Sequence, residues 1–210
     1  MRTTKKVVLA LILWAGFYAC FAQDPTGFIG SQVLGNNKPV APLQLSLDVY
    51  PFLFLSSGGG GSASVEFSNW QVGLTGFSVV PPDFILTTFF RNAENVRIRR
   101  NDAVELLVNY YPRKDRKGIY AGMLGGPEWF VMEEKRSGAQ HTIVKTYVVP
   151  RLGIRVFPFK KVFYVDASFG WSFNVSGTEA KNLGQSTYNA SNGGFIYFLQ
   201  VGARLHLTKP

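Results

Sequence analysis

The chain has 210 residues, a formal net charge of +9, 46% hydrophobic and 15% aromatic residues, and a single cysteine, Cys20. One thiol excludes a disulfide framework and any cysteine-built metal centre. Glycine, phenylalanine and tyrosine are abundant and no helical periodicity persists, so an all-β fold is the natural expectation.

Arg2, Lys5 and Lys6 precede an uncharged apolar run from Val7 to Phe21, followed by Ala22 and then Gln23-Asp24-Pro25. A positive segment, an apolar core and a small-x-small site make a secretory signal peptide, expected at 1–22 with cleavage after Ala22. A signal anchor would need about 20 apolar residues, and bulky Phe17 and Tyr18 argue against lipidation of Cys20. Cleavage removes the cysteine, lowers the formal charge from +9 to +6, and leaves about 188 residues, enough for one domain. Every later apolar run is interrupted by charge, glycine or proline, so an integral membrane protein would have to be a closed barrel. For an exported chain, nucleic acid is not a sensible partner despite the basic balance.

Residues 23–41 read as a polar periplasmic lead-in, and 42–210 as the barrel. Leu43, Leu45, Leu47 and Val49 alternate with Gln44, Ser46 and Asp48 in a first strand, and Gly58–Gly61 reads as a flexible loop. A second strand alternates Ala63, Val65 and Phe67 with Ser62, Ser64 and Glu66. After a Ser68-Asn69 turn, a third runs from Trp70 towards Val80. Residues 81–101 read as an irregular excursion containing Phe84, Phe89, Phe90 and the basic run Arg97-Ile98-Arg99-Arg100. The fourth strand sets Val104, Leu106 and Val108 against Glu105, Leu107 and Asn109. Residues 112–117 (PRKDRK) form a charged turn, and a fifth strand starts at Gly118 and continues towards Met132. A polar loop is expected at 133–140.

The next hairpin carries the strongest signal. Val144, Thr146, Val148, Leu152, Ile154 and Val156 oppose Lys145, Tyr147, Arg151, Gly153 and Arg155. Beyond a turn at Pro158–Lys161, Phe163, Val165, Ala167, Phe169, Trp171, Phe173 and Val175 oppose Tyr164, Asp166, Ser168, Gly170, Ser172 and Asn174. A loop spans 176–194, and an eighth strand sets Tyr197, Leu199, Val201, Ala203 and Leu205 against Gln200, Gly202, Arg204 and His206. Both hairpin strands exceed the usual 5–6 residues of soluble sheets. A soluble sandwich wets its polar face, whereas a membrane barrel turns it inward. Eight strands, with short turns after the second, fourth and sixth, favour the barrel, with the short-turn side periplasmic. Pro81, Pro127 and Pro150, each about ten residues from a short turn, are expected at the outer rim, where a ladder tolerates a missing donor.

On that arrangement the inward charges are Asp48, Glu66, Glu105 and Asp166 against Lys145, Arg151, Arg155 and Arg204, a near-balanced ion-pair network. Eight strands leave room for side chains and little else, and buried charges persist when paired. A side-chain-filled lumen is therefore preferred to a conducting pore. Trp70, Trp129, Phe163, Trp171 and Tyr197, with Phe130 and Tyr164, are candidates for interfacial aromatic girdles. Arg113, Lys114, Arg116, Lys117, Lys160 and Lys161 lie on periplasmic turns that would meet phospholipid headgroups. Arg91, Arg97, Arg99 and Arg100 are candidates for contact with lipid A phosphates through bidentate guanidinium bonds, or form a solvated loop. His141 and His206, the only histidines, sit near opposite ends of the barrel. No G-x-S-x-G or H-E-x-x-H motif is present, so no catalytic or metal-binding residue and no cofactor are expected.

The hairpins 109–126 (NYYPRKDRKGIYAGMLGG) and 150–173 (PRLGIRVFPFKKVFYVDASFGWSF) resemble those of small outer-membrane β-barrel proteins of the OmpA/OmpX-like superfamily, of the Bacteroidetes type. The resemblance implies an eight-stranded antiparallel up-and-down transmembrane β-barrel in a Gram-negative outer membrane. It also implies lipopolysaccharide and phospholipid as neighbours, insertion by the barrel-assembly machinery and a monomeric state. The chain departs from the family in ending Leu207-Thr208-Lys209-Pro210 rather than in an aromatic residue. A non-enzymatic envelope protein acting through its loops is the leading expectation. A lipid-modifying barrel enzyme and a soluble periplasmic barrel binding a small apolar ligand are the alternatives.

Overall fold

The computed structural model describes residues 43–81, 90–91, 95–159, 162–179, 181–183, 186–190 and 193–207. The expected signal peptide and lead-in, Phe84, Phe89, Lys160, Lys161 and the C-terminal 208–210 lie outside them. In chain order the elements are β1 (Leu43–Val49), α1 (Pro51–Leu55), β2 (Gly59–Phe67), β3 (Trp70–Val79), β4 (Phe90–Arg91), β5 (Val96–Tyr110) and β6 (Gly118–Glu134). They continue with β7 (Gln140–Phe159), β8 (Phe163–Ser176), β9 (Lys181–Leu183), β10 (Ser186–Ala190) and β11 (Gly194–His206). Eight of the strands close a barrel in the order β1-β11-β8-β7-β6-β5-β3-β2, every pair antiparallel. Strands β4, β10 and β9 form a small separate sheet.

The alternation read from the sequence sets the two faces. Phe169, Trp171 and Leu205 are about half exposed on the outer wall, while Asp166 is 1% and Arg204 2% exposed inside. Closure leaves the eight-stranded barrel without an edge strand, the condition a strand protein must meet to satisfy its backbone in an apolar surround.

Several boundaries differ from the sequence expectation. Gly59–Gly61 belong to β2, where they pair with Gly76–Ser78 of β3, rather than to a loop. The connection before them is α1, with Pro51 in its first turn, where a missing N–H costs nothing. The irregular excursion ends sooner than expected, because residues 96–101, including the basic run, are the outer half of the 15-residue strand β5. Likewise the 133–140 loop shrinks to a turn between strands of 17 and 20 residues. Residues 176–194 contain β9 and β10, and Pro158, expected in a turn, stays within β7 beside an irregular register with β8.

Pro127 and Pro150 are not at the rim. They pair with Thr146 and Met123 inside the β6–β7 ladder. On their other sides the ladders skip a step: β5–β6 runs from Ala103↔Glu128 to Leu106↔Gly125, and β7–β8 from Val148↔Phe173 to Arg151↔Gly170. A proline lacks one donor, and here its cost is confined to one neighbour while the other remains bonded.

Above this level the interior changes character. Val96, Ile98, Phe130, Met132 and Ile143 turn inward and pack with Phe90 of β4 and Leu183 of β9 as an apolar plug. Phe130, a girdle candidate by sequence, is 1% exposed within that plug, and Tyr164, the other, is fully buried in the lumen.

The inner wall also needs glycine at a specific place. Gly153 pairs with Tyr120 across β6–β7, and a Cβ there would stand 2.3 Å from the Tyr120 ring. Gly153→Val should therefore displace Tyr120 and lower stability by about 1–3 kcal/mol, the usual cost of overpacking, measured by urea unfolding in detergent micelles.

Candidate functional site

The lumen holds the densest chemistry. Its lowest layer forms around Glu66, brought inward by the alternation of β2 and fully buried. Arg155 of β7 donates to Glu66 Oε1 at 2.6 Å, Arg116 to Oε2 at 3.0 Å, and Arg204 Nε lies 2.9 Å from Oε2. Ser46 adds a hydroxyl donor at 2.5 Å. Arg155 also bridges to Asp166 at 3.1 Å and to Gln71 at 2.8 Å, and Tyr120 donates its hydroxyl to Asp166 at 2.6 Å. The Arg155 guanidinium lies 4.2 Å from the Tyr164 ring centre and 5.0 Å from that of Tyr111. Carboxylates, amides and ring faces thus surround a charge that could not be buried alone.

Sequence reasoning missed Arg116. It was placed on a periplasmic turn facing phospholipid, yet it is 1% exposed and reaches up into the lumen, donating to Glu66, the Ser68 carbonyl and the Gln44 side chain. Its φ of 51° bends the turn inward, a conformation uncommon for a residue with a Cβ. Arg204 fixes that bend by donating to the carbonyls of Asp115 (3.0 Å) and Arg116 (3.1 Å). The 112–117 turn is consequently a floor across the barrel as well as a connection.

Glu128 was also missed. It holds Lys145 at 3.2 Å and accepts from Asn101 at 2.8 Å, a second polar layer near the upper end. The structure therefore brings Glu66, Arg155, Asp166 and Arg204 into one cluster and leaves Lys145 in another. Asp48 accepts from Ser62 at 2.6 Å, and Glu105 from the Tyr147 hydroxyl. Among the described residues Arg151 bridges to no carboxylate: it donates to Asn109 at 3.1 Å and lies 5.6 Å from the ring centres of both Tyr120 and Phe198. Between the two charged layers lies an apolar belt of Leu107, Leu124, Tyr147 and Val149, backed by Ile196 and Phe198.

The sequence candidates on the outside fall at two levels. Trp70 and Phe163 are exposed next to the short turns, and Trp70 packs on Tyr110 with ring centres 5.0 Å apart. Trp171 and Tyr197 are exposed higher on β8 and β11, and Trp129 is half-buried. Eight residues separate Phe163 from Trp171; at roughly 3.4 Å each and a tilt of about 40° the two rings of aromatics are about 20 Å apart. His141 and His206 are both exposed, at opposite ends. His206, on the polar side of the last strand by sequence, pairs with Gln44 at the end of the β1–β11 ladder and is exposed there.

At the upper end, Arg97 and Arg99 both donate to the single carboxylate of Glu133, and Arg100 pairs with Asp102 at 2.7 Å. An irregularity between Ile98 and Arg100 lets neighbouring arginines share the outer face. Arg91 lies in β4, paired with Asn189. The hydrogen bonds from Arg99 and Arg97 pull the Glu133 carboxyl down to about 2.

Two outcomes follow from these charges. Glu66→Ala strands three guanidinium groups and should destabilise the barrel by about 3–5 kcal/mol, whereas Arg100→Ala, at an exposed pair, should cost about 0–1 kcal/mol; urea midpoints in micelles compare them. Because the folded Glu133 value lies below the ordinary 4.5, its contribution is present above that pH and is lost as the pH falls towards 2. A 13C carboxyl titration, assigned with Glu133→Gln, should place its midpoint near 2.

No family model matches the chain, and no curated protein matches it either. Solved structures similar to it include two outer-membrane proteins. The N-terminal β-barrel domain of Pseudomonas aeruginosa OprF is 11% identical with a TM-score of 0.39, over 77% of this chain and 97% of that one. A major outer membrane protein from Thermus thermophilus is 11% identical with a TM-score of 0.43, over 79% of this chain and 100% of that one.

Proposed function

We infer that the chain is an integral outer-membrane β-barrel, non-enzymatic and closed by its own side chains, which serves the envelope through the elements at its upper end. One observation carries the reading: Leu, Val, Phe and Trp side chains cover the outer wall while Glu66, Asp166, Arg155 and Arg204 are buried inside. In water this arrangement would expose the apolar surface that folding normally hides; in a bilayer it is the stable one. It equally disfavours a soluble periplasmic barrel, whose greasy face would line the interior. Glu66, Asp166, Arg116, Arg155 and Arg204 are paired with each other, Glu128 with Lys145, Asp48, Glu105 and Arg151 are held by neutral side chains, and the 112–117 turn crosses one end, which supports a structural core over a channel.

The same reading gives the arginines of β5 a role. Arg97, Arg99 and Arg100 stand beyond the upper aromatics, where phosphate groups of a surface glycolipid would meet them. Each already holds a carboxylate, so an anionic headgroup would add to a built cluster rather than fill an empty one.

Refolded in detergent, the protein should run faster on a gel unheated than boiled, and in planar bilayers it should give no discrete conductance. Clean ohmic steps would overturn the filled lumen; a protein that remains in the aqueous phase on cell fractionation would overturn the membrane assignment.

A further inference from the structure

One part of the outer wall is not smooth. Across β6, β7, β8 and β11 two outward rows run side by side: Ala121, Leu152, Phe169 and Tyr197 in one, Met123, Pro150, Trp171 and Phe195 in the other. Ala121 and Pro150 are short where Phe169, Trp171 and Phe195 stand tall, and Phe169 stacks on Phe195 with ring centres 6.0 Å apart. The result is a groove of about 450 Å³ lined by Ala121, Pro150, Leu152, Phe169 and Trp171. The backbone at Gly122 and Gly170, whose own positions face the lumen, forms part of its bed. The β7–β8 ladder is interrupted at the same place, because Pro150 has no N–H to give.

We propose that this groove seats one lipid acyl chain and holds it longer than the rest of the wall does. The inference rests on the membrane reading above. The occupant follows from the lining and its level. Trp171 marks the upper aromatics, and Ala121 and Leu152 lie below it, so on that reading the groove opens to the hydrocarbon layer. Arg151, the one ionisable residue that borders it, is buried with its guanidinium turned into the lumen against Asn109, so the outward walls are apolar. A flexible methylene chain fits a narrow furrow between a proline edge and aromatic ridges, gaining contacts on three sides where a flat wall offers one.

Trp171 is a built-in reporter. In the chain from Gln23 onward with Trp70→Phe and Trp129→Phe it is the sole tryptophan. The protein is reconstituted in vesicles of phosphatidylcholine brominated on its acyl chains and then diluted into unbrominated detergent micelles. The comparison protein carries Trp171→Phe and Leu74→Trp on the exposed face of β3. Both tryptophans should be quenched before dilution, and Trp171 should recover roughly tenfold more slowly, the difference that about 1.4 kcal/mol of extra contact gives. Ala121→Phe, which fills the groove, should make its recovery as fast as that at position 74. Equal recovery at the two positions overturns the groove while leaving the membrane reading intact. Quenching at 74 with none at Trp171 overturns it in favour of a second copy of the chain covering this face. No quenching at either position sinks the membrane reading itself, and the groove with it.

Discussion

Three arginines share one carboxylate at the base of the barrel. Glu66 is fully buried and faces Arg116, Arg155 and Arg204, which come from a turn, β7 and β11. On the proposed membrane reading the outside offers no water and the interior is the only place for charge, and charge there is tolerable only when compensated. Each strand contributes to that compensation in one register alone, because a slip of one residue turns its inward set to lipid. The network thus specifies register as much as it stabilises: a shifted β7 would carry Arg155 to the outer wall and strand Asp166 and Glu66 together.

Much of this was legible in the strands. Wherever β-branched or aromatic residues alternate with polar ones over ten or more positions, as in β7 and β8, the sequence dictates which side chains turn inward, and the closed barrel follows the predicted order. The failures share a cause: each depends on a partner that no local pattern reveals. Arg116 sits in PRKDRK, where every neighbour reads as solvated, and acceptors far along the chain, Glu66 50 residues away with the Ser68 carbonyl and the Gln44 side chain, draw it inside. Gly59–Gly61 carry loop composition but are held by the backbone of β3. Pro127 and Pro150 break one ladder and keep the other, a distinction that belongs to neighbouring strands rather than to proline.

Phe130 is a different case. In β6 it shares the inward parity of Tyr120, Leu124 and Glu128, opposite Trp129. The glycines and Pro127 in this strand blur the alternation, so composition alone suggested a girdle. For Tyr164, the place beside Asp166 on the polar face matches its burial against Arg155.

Within single strands the rule for the interior reverses with height. Along β5, Asn109 and Glu105 face inward while Tyr110, Leu106 and Val104 are exposed; nearer its start Ile98 and Val96 face inward and Arg99 is exposed. β7 does the same between Arg151 and Ile143. Polar-in with apolar-out is what hydrocarbon demands, and apolar-in with polar-out is what water demands, so on the proposed membrane reading the crossover marks a change of solvent. It falls at the Asn101, Glu128 and Lys145 layer. Nine residues separate Asn101 from Tyr110 beside the 112–117 turn, which at roughly 3.4 Å each and about 40° of tilt spans about 23 Å, close to the apolar band of an outer-membrane barrel. The strands therefore carry an internal ruler: below the crossover the lumen holds charged layers with an apolar belt between them behind a greasy exterior, and above it the plug around Phe90 and Leu183 is packed apolar-in.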